Sequence, residues 1–128
     1  MRLLLDTHAF LWWLNDSPKL SATARNAIAD VDNDIIVSAV TGWECAVKFR
    51  LKRLPEAEQF LVRPDEVLRR AGMEALPIKI AHAIRSGSYP GKHRDPFDRM
   101  LAAQAELEGM VLVTTDKSLA EFPIQTLW

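Results

Sequence analysis

The sequence predicts an α/β fold: a mainly parallel sheet with helices packed on both of its faces. Three observations carry this prediction. Leu3–Leu5, Ile35–Val37 and Met110–Thr114 are short, uninterrupted apolar runs, the pattern of strands buried on both sides. Between them lie longer stretches with helical spacing and residues that cap helices. The first and third runs each lead into an aspartate, Asp6 and Asp116.

Taken in order, Leu3–Leu5 end at Asp6 and Thr7, either of which can cap a helix over roughly Ala9–Leu14. Asp16, Ser17 and Pro18 break it. Ser21 caps a second helix, Ala22 to about Val31, on which Ala24, Ile28 and Val31 are helically spaced. Asn33 and Asp34 turn the chain into the strand Ile35–Val37, and Ser38 caps a third helix, about Val40–Lys52, which Pro55 ends. Two helical pieces follow, around Glu56–Leu61 and Asp65–Ala71, the second closed by Gly72. Glu74–Ile78 forms a strand that Pro77 places at a sheet edge, because proline has no N–H to give a ladder. A short helix near Ile80–Arg85 and a loop over Ser86–Lys92, marked by Gly87, Pro90 and Gly91, lead to His93.

The stretch from His93 to Asp116 is the most informative. Asp95 followed by Pro96 is an N-cap with proline at the first helical position, and Asp98 falls at the third, where a carboxylate suits the positive helix end. The helix runs through Met100–Glu108, stops at Gly109 and passes into the Met110–Thr114 strand. At about 100° per residue, Arg99 and Glu106 share a solvent-like face while Asp98 falls among Leu101, Ala102 and Ala105. A carboxylate on that face is not decoration. In open parallel sheets the carboxyl ends of strands, and the helix N-termini beside them, open onto the ligand crevice. If the first strand lies beside Met110–Thr114, then Asp6, Asp98 and Asp116 are aimed at one place. Ser118–Glu121 forms one helical turn and Ile124–Leu127 a last strand.

The totals bound the answer. At 128 residues the chain suits one domain, and nearly half its residues are apolar. A formal net charge of -1 names no partner, so any nucleic-acid role rests on local patches. The single cysteine, Cys45, excludes an internal disulfide and fits a reducing, cytoplasmic compartment. The apolar run Ala9–Leu14 is too short to span a bilayer, and Asp6 and His8 interrupt the N-terminal run too early for a signal peptide.

Asp6, Asp98 and Asp116, with Glu44 as a fourth candidate beside Val40, Val47 and Leu51, form a cluster that cannot stay ionised without a cation. Oxygen-only sites favour Mg²⁺ or Mn²⁺, and such ions suit phosphodiester hydrolysis. Structural readings compete at each position: Asp95 as an N-cap, Glu44 with Lys48 as an i,i+4 surface pair, Thr7, Thr114 and Thr115 as capping hydroxyls, Ser38 as a cap. His8, His82 and His93 lack zinc-ligand spacing; His93, beside Arg94 and Asp95, is the one most suited to touch a substrate. Asp30, Asp32 and Asp34 mimic a calcium loop that fails at Ile35 and Thr41. Lys48, Arg50, Lys52 and Arg53, and Lys92, Arg94 and Arg99, are candidate phosphate contacts or solvated faces. Trp12, Trp13 and Trp43 read as core or interface aromatics. A haloacid-dehalogenase-like phosphatase wants a second aspartate two residues after Asp6, where His8 stands.

Four motifs in one order, L-L-L-D-T-H-A-F-L-W-W-L from Leu3, V-S-A-V-T-G-W-E-C-A-V-K from Val37, H-R-D-P-F-D-R-M-L-A-A-Q-A from His93 and V-T-T-D from Val113, resemble PIN-domain proteins of the VapC toxin family. The resemblance covers nearly the whole chain. It implies one PIN-like domain over residues 1–128 with a five-stranded sheet in the order 3-2-1-4-5. It further implies a Mg²⁺- or Mn²⁺-dependent endoribonuclease acting as the toxin of a toxin-antitoxin pair, a homodimer, and a cognate antitoxin that covers the site. Carried over position by position, the acidic quartet falls on Asp6, Glu44, Asp98 and Asp116, with Asp6, Asp98 and Asp116 as metal ligands. Thr7 and Thr115 match supporting hydroxyls and Asp95 an extra acid. The alternative is a PIN-type module that binds RNA or a partner without cutting. Relatives often have glycine near Lys52, where the third helix bends, so lysine there is expected to lengthen that helix and alter the antitoxin groove.

Overall fold

The computed structural model describes residues 1–128 as a five-stranded parallel sheet with seven α-helices. The strands are β1 (Arg2–Leu5), β2 (Asp34–Ser38), β3 (Glu74–Leu76), β4 (Val111–Val113) and β5 (Thr126–Leu127). The helices are α1 (Thr7–Leu14), α2 (Ala22–Ala29), α3 (Ala39–Arg50), α4 (Glu58–Val62), α5 (Pro64–Ala71), α6 (Ile80–Ser88) and α7 (Pro96–Glu108). Sheet order is β3-β2-β1-β4-β5, every pairing parallel, as the resemblance implied.

Alternation along the central strand builds two cores. Successive strand side chains point to opposite faces. Leu3 and Leu5 therefore enter one cluster with Phe10, Ile28, Val37 and Phe60, while Leu4 enters the other with Ile36, Val40, Leu101 and Leu112. All three leucines are fully buried, and truncating one to alanine costs on the order of 2–5 kcal/mol. Helices are needed on both faces, which is why the sheet can be parallel throughout.

The edges follow from their chemistry. β3 is three residues long at the sheet margin, and Pro77 stops the ladder. The last strand is shorter than Ile124–Leu127, being confined to Thr126–Leu127. Gly72 and Gly109 close α5 and α7 in the left-handed region, at φ 68° and 65°, where a Cβ is disfavoured.

Several expectations are corrected. α2 ends at Ala29, because Asp30 adopts extended backbone, and Val31 lies beyond it, 95% exposed, instead of sharing the core face. α3 ends at Arg50 and is not lengthened by Lys52, which takes the left-handed conformation at φ 60° and donates its backbone N–H to Phe49. α6 continues to Ser88 through Gly87, so the following loop is shorter than Ser86–Lys92. Arg99 and Glu106 do not face open solvent: α6 and its following loop cover them, and Glu106 receives Arg85 and Tyr89. Trp12 and Trp13 pack on the first core, but Trp43 is 52% exposed against Phe97. No helix is long and apolar enough to cross a membrane.

Candidate active site

The carboxyl ends of β1 and β4 are adjacent because Leu5 and Val113 pair in register. Asp6 is the first residue past β1. It caps α1, accepting the Ala9 N–H at 2.8 Å, and only 8% of its surface is exposed. Burial pushes its carboxyl above the ordinary range, opposed by hydrogen bonds from Thr114 and Ala9. Asp116 follows β4 and accepts both the N–H and the hydroxyl of Ser118, at 2.9 and 2.7 Å. Its own N–H is held by the Thr114 hydroxyl at 3.0 Å.

Two helices bring the remaining acids. Ser38 ends β2 and caps α3 by accepting from Val40, which aims Glu44 back over the sheet edge. Glu44 is 6% exposed; Thr7 donates its hydroxyl to Oε1 at 2.5 Å, and Lys48 donates to Oε2. Glu44 and Lys48 are thus an i,i+4 pair, but inside a cleft and not on an open surface. Asp95 accepts from the Phe97 and Asp98 amides at the start of α7, with Pro96 at the first position. Asp98 is half-buried, and His93 Nε2 lies 3.0 Å from its Oδ2. Burial pushes the Asp98 carboxyl up to about 6; the His93 hydrogen bond draws it down, and the charges of Asp95 and Asp116 add to the rise.

Asp6, Thr7, His8, Glu44, Lys48, Asp95, Asp98, Thr115 and Asp116 line one cavity of about 150 Å³ with no apolar side chain. All seven residues singled out in the sequence are among the nine. Larger hollows lie against α4 and α5, lined by Gln59, Val67 and Arg70 among others, away from these carboxylates.

The donor set suits a hard divalent cation: carboxylates and hydroxyls, neither thiolate nor paired imidazoles, and acids whose burial disfavours charge unless a cation neutralises it. The carboxylates do not stand as a closed chelate of three or more. Their oxygens are turned instead to Lys48, Thr7, His93 and Ser118, which relieves like-charge repulsion.

Lys48, His93, Thr114 and Ser118 are structurally tied to the acids. Thr114, two residues before Asp116, is among the hydroxyls marked in the sequence; Ser118, two after it, sits at turn spacing that sequence alone could also have flagged. Of the basic candidates, Lys48 is at the site, whereas the Arg99 guanidinium is occupied by the carbonyls of His93, Tyr89 and Ser86.

A parallel sheet in the order 3-2-1-4-5, with acids gathered at the carboxyl ends of the central strand β1 and its neighbour β4, defines a class of α/β domain built around an oxygen-rich site. The PIN domain family matches residues 3–125, and the chain belongs to that family. Ribonuclease VapC22 of Mycobacterium tuberculosis (strain ATCC 25618 / H37Rv) is 33% identical over 120 residues, covering 91% of this chain and 88% of the relative. Among solved structures, VapBC2 from Rickettsia felis, bound to a DNA fragment from its promoter, superposes with a TM-score of 0.71 at 19% identity, covering 98% and 97% of the two chains. Mycobacterium tuberculosis VapC20, a toxin that cleaves the Sarcin-Ricin loop, superposes with a TM-score of 0.65 at 13% identity over 93% of each chain.

Proposed function

We propose that residues 1–128 act as one PIN domain: a metal-dependent endoribonuclease, the toxin of a toxin-antitoxin pair, working in the cytoplasm. The observation that carries this reading is the convergence of Asp6, Glu44, Asp98 and Asp116, from two strand ends and two helices, on one wholly polar cavity. Kinship with a ribonuclease at 33% identity supports it.

Asp6, Asp98 and Asp116 would hold Mg²⁺ or Mn²⁺, directly or through water, and Glu44 would complete the site. Bound there, such an ion lowers the pKa of a water and stabilises negative charge on phosphate oxygens. The chain's own groups do the orienting. Thr7 and Lys48 each hold one oxygen of Glu44, which fixes the plane of the carboxylate and leaves a free lone pair on each oxygen to accept a hydrogen bond from an attacking water. Ser118 fixes Asp116, and Asp95 fixes the first turn of α7 from which Asp98 projects. Thr115 lines the cavity as a further hydroxyl.

RNA is the proposed substrate and a cognate antitoxin the proposed inhibitor, the latter supported by the similarity to VapBC2. A homodimer is also proposed, supported by Ile80 and Ile84, one turn apart on α6 and 80% and 65% exposed. Light scattering should then give twice the 14.5 kDa chain mass. The activity is tested by incubating the purified protein with a mixed RNA pool in Mg²⁺, in Mn²⁺ and in EDTA. Cutting in either metal and none in EDTA is expected. Metal-independent cutting, or no cutting under any condition, contradicts the reading and favours a module that binds without cleaving.

A further inference from the structure

His93 lies on the loop before α7, with its ring between two of the acids. Nε2 is 3.0 Å from Asp98 Oδ2. Nδ1 is 3.4 Å from Ser118 Oγ, and that hydroxyl donates to Asp116 Oδ1 at 2.7 Å. One imidazole therefore links the acid delivered by α7 to the acid delivered by β4 through a single serine. We propose that His93 is a positioning residue that fixes the Asp98 and Asp116 carboxylates relative to each other for divalent-cation binding.

Three features support the assignment. The ring is held on its other side by Phe122, at 5.4 Å between centroids and 73° between planes, so its orientation is set by packing. The loop that carries it is anchored through main chain: Arg99 reaches the carbonyls of His93, Tyr89 and Ser86 at 2.5, 2.8 and 3.2 Å. The loop therefore has main-chain anchors that do not involve the imidazole. Its hydrogen bond also engages one oxygen of Asp98 and leaves the other for a ligand, the arrangement by which outer partners of metal ligands set ligand orientation. A carboxylate free to rotate about χ2 would divide its time among orientations that do not bind.

The inference rests on the proposed metal-dependent activity, and its test separates the two. Mn²⁺ binding to the full chain is followed by loss of the free-ion electron paramagnetic resonance signal, in wild type, His93→Ala, His93→Gln and Asp98→Asn, alongside RNA cleavage and the metal-free melting temperature. His93→Ala should bind Mn²⁺ about 10–100-fold more weakly and cut correspondingly slowly while its metal-free melting curve shows it fully folded at the assay temperature. His93→Gln, whose amide can donate to Asp98, should recover most of the affinity. Wild-type affinity in His93→Ala, with Asp98→Asn impaired, overturns the role of His93 alone. Unimpaired binding and cleavage in Asp98→Asn overturns the metal site and the role of His93 with it.

Discussion

The backbone N–H of Asp6 donates to the carbonyl of Val113 at 3.0 Å, extending the β1–β4 ladder one residue past Leu5. The first acid therefore leaves the sheet in fixed register with the strand that leads to Asp116. Hydrogen bonds within a sheet set that spacing before any side chain acts, and α3 and α7 then deliver Glu44 and Asp98 over the same edge.

Acid placement has a cost that pH should reveal. The Asp98 carboxyl sits at about 6, above its ordinary 3.8, chiefly through burial. A carboxyl raised in the folded state binds its proton more tightly folded than unfolded, so stability rises as pH falls from about 7 through 6 toward its ordinary value. Asp6 is shifted in the same direction. The metal-free protein in EDTA should gain from this between pH 7 and pH 5, and Asp98→Asn should reduce that gain. An identical pH slope of melting temperature in wild type and variant would show that Asp98 is not strained by burial.

Lys52 holds the left-handed conformation that a side chain disfavours by roughly 1–2 kcal/mol. Lys52→Gly removes that penalty while adding freedom to the unfolded chain, about 0.4–1 kcal/mol in the other direction. A net gain on the order of 0.5 kcal/mol in urea unfolding is expected. A loss of stability would mean that the lysine side chain contributes contacts outweighing its backbone.

Arg99 ties four main-chain carbonyls, those of Ser86, Tyr89, Gly91 and His93, in the segment preceding α7. Arg99→Met leaves them without their cationic donor and should cost about 2–3 kcal/mol. Amide hydrogen exchange over residues 86–94 should accelerate well beyond exchange in β1. Equal protection of that segment in the variant would contradict the anchoring role.

How much of this was legible in the sequence depends on the range of the forces involved. Asp95, Pro96 and Gly109 bound α7 through local backbone chemistry, and each reads directly from its residue type. Leu3–Leu5 announces a strand buried on both faces, and the aspartate that follows it lies in the polar cavity with the other acids. The places where reading failed depend on distant packing. Nothing local distinguishes Arg99 as a loop anchor from a solvated arginine, because its partners are six to thirteen residues away. Val31 fits the apolar period of α2, yet the chain turns at Asp30 before reaching it. The link from His93 to Asp98 is near in sequence, but its extension to Ser118 spans 25 residues and exists only once β4 is in place.

On the proposed function, the acids converging on one cavity cut RNA with a divalent cation. Asp98→Asn preserves size and hydrogen-bonding shape while removing the charge, so it separates chemistry from folding. In Mg²⁺, with native circular dichroism verified, the variant should cleave a mixed RNA pool at least about 100-fold more slowly than wild type, exceeding the usual effect of an outer partner. Undiminished cleavage by a folded Asp98→Asn protein would contradict the account.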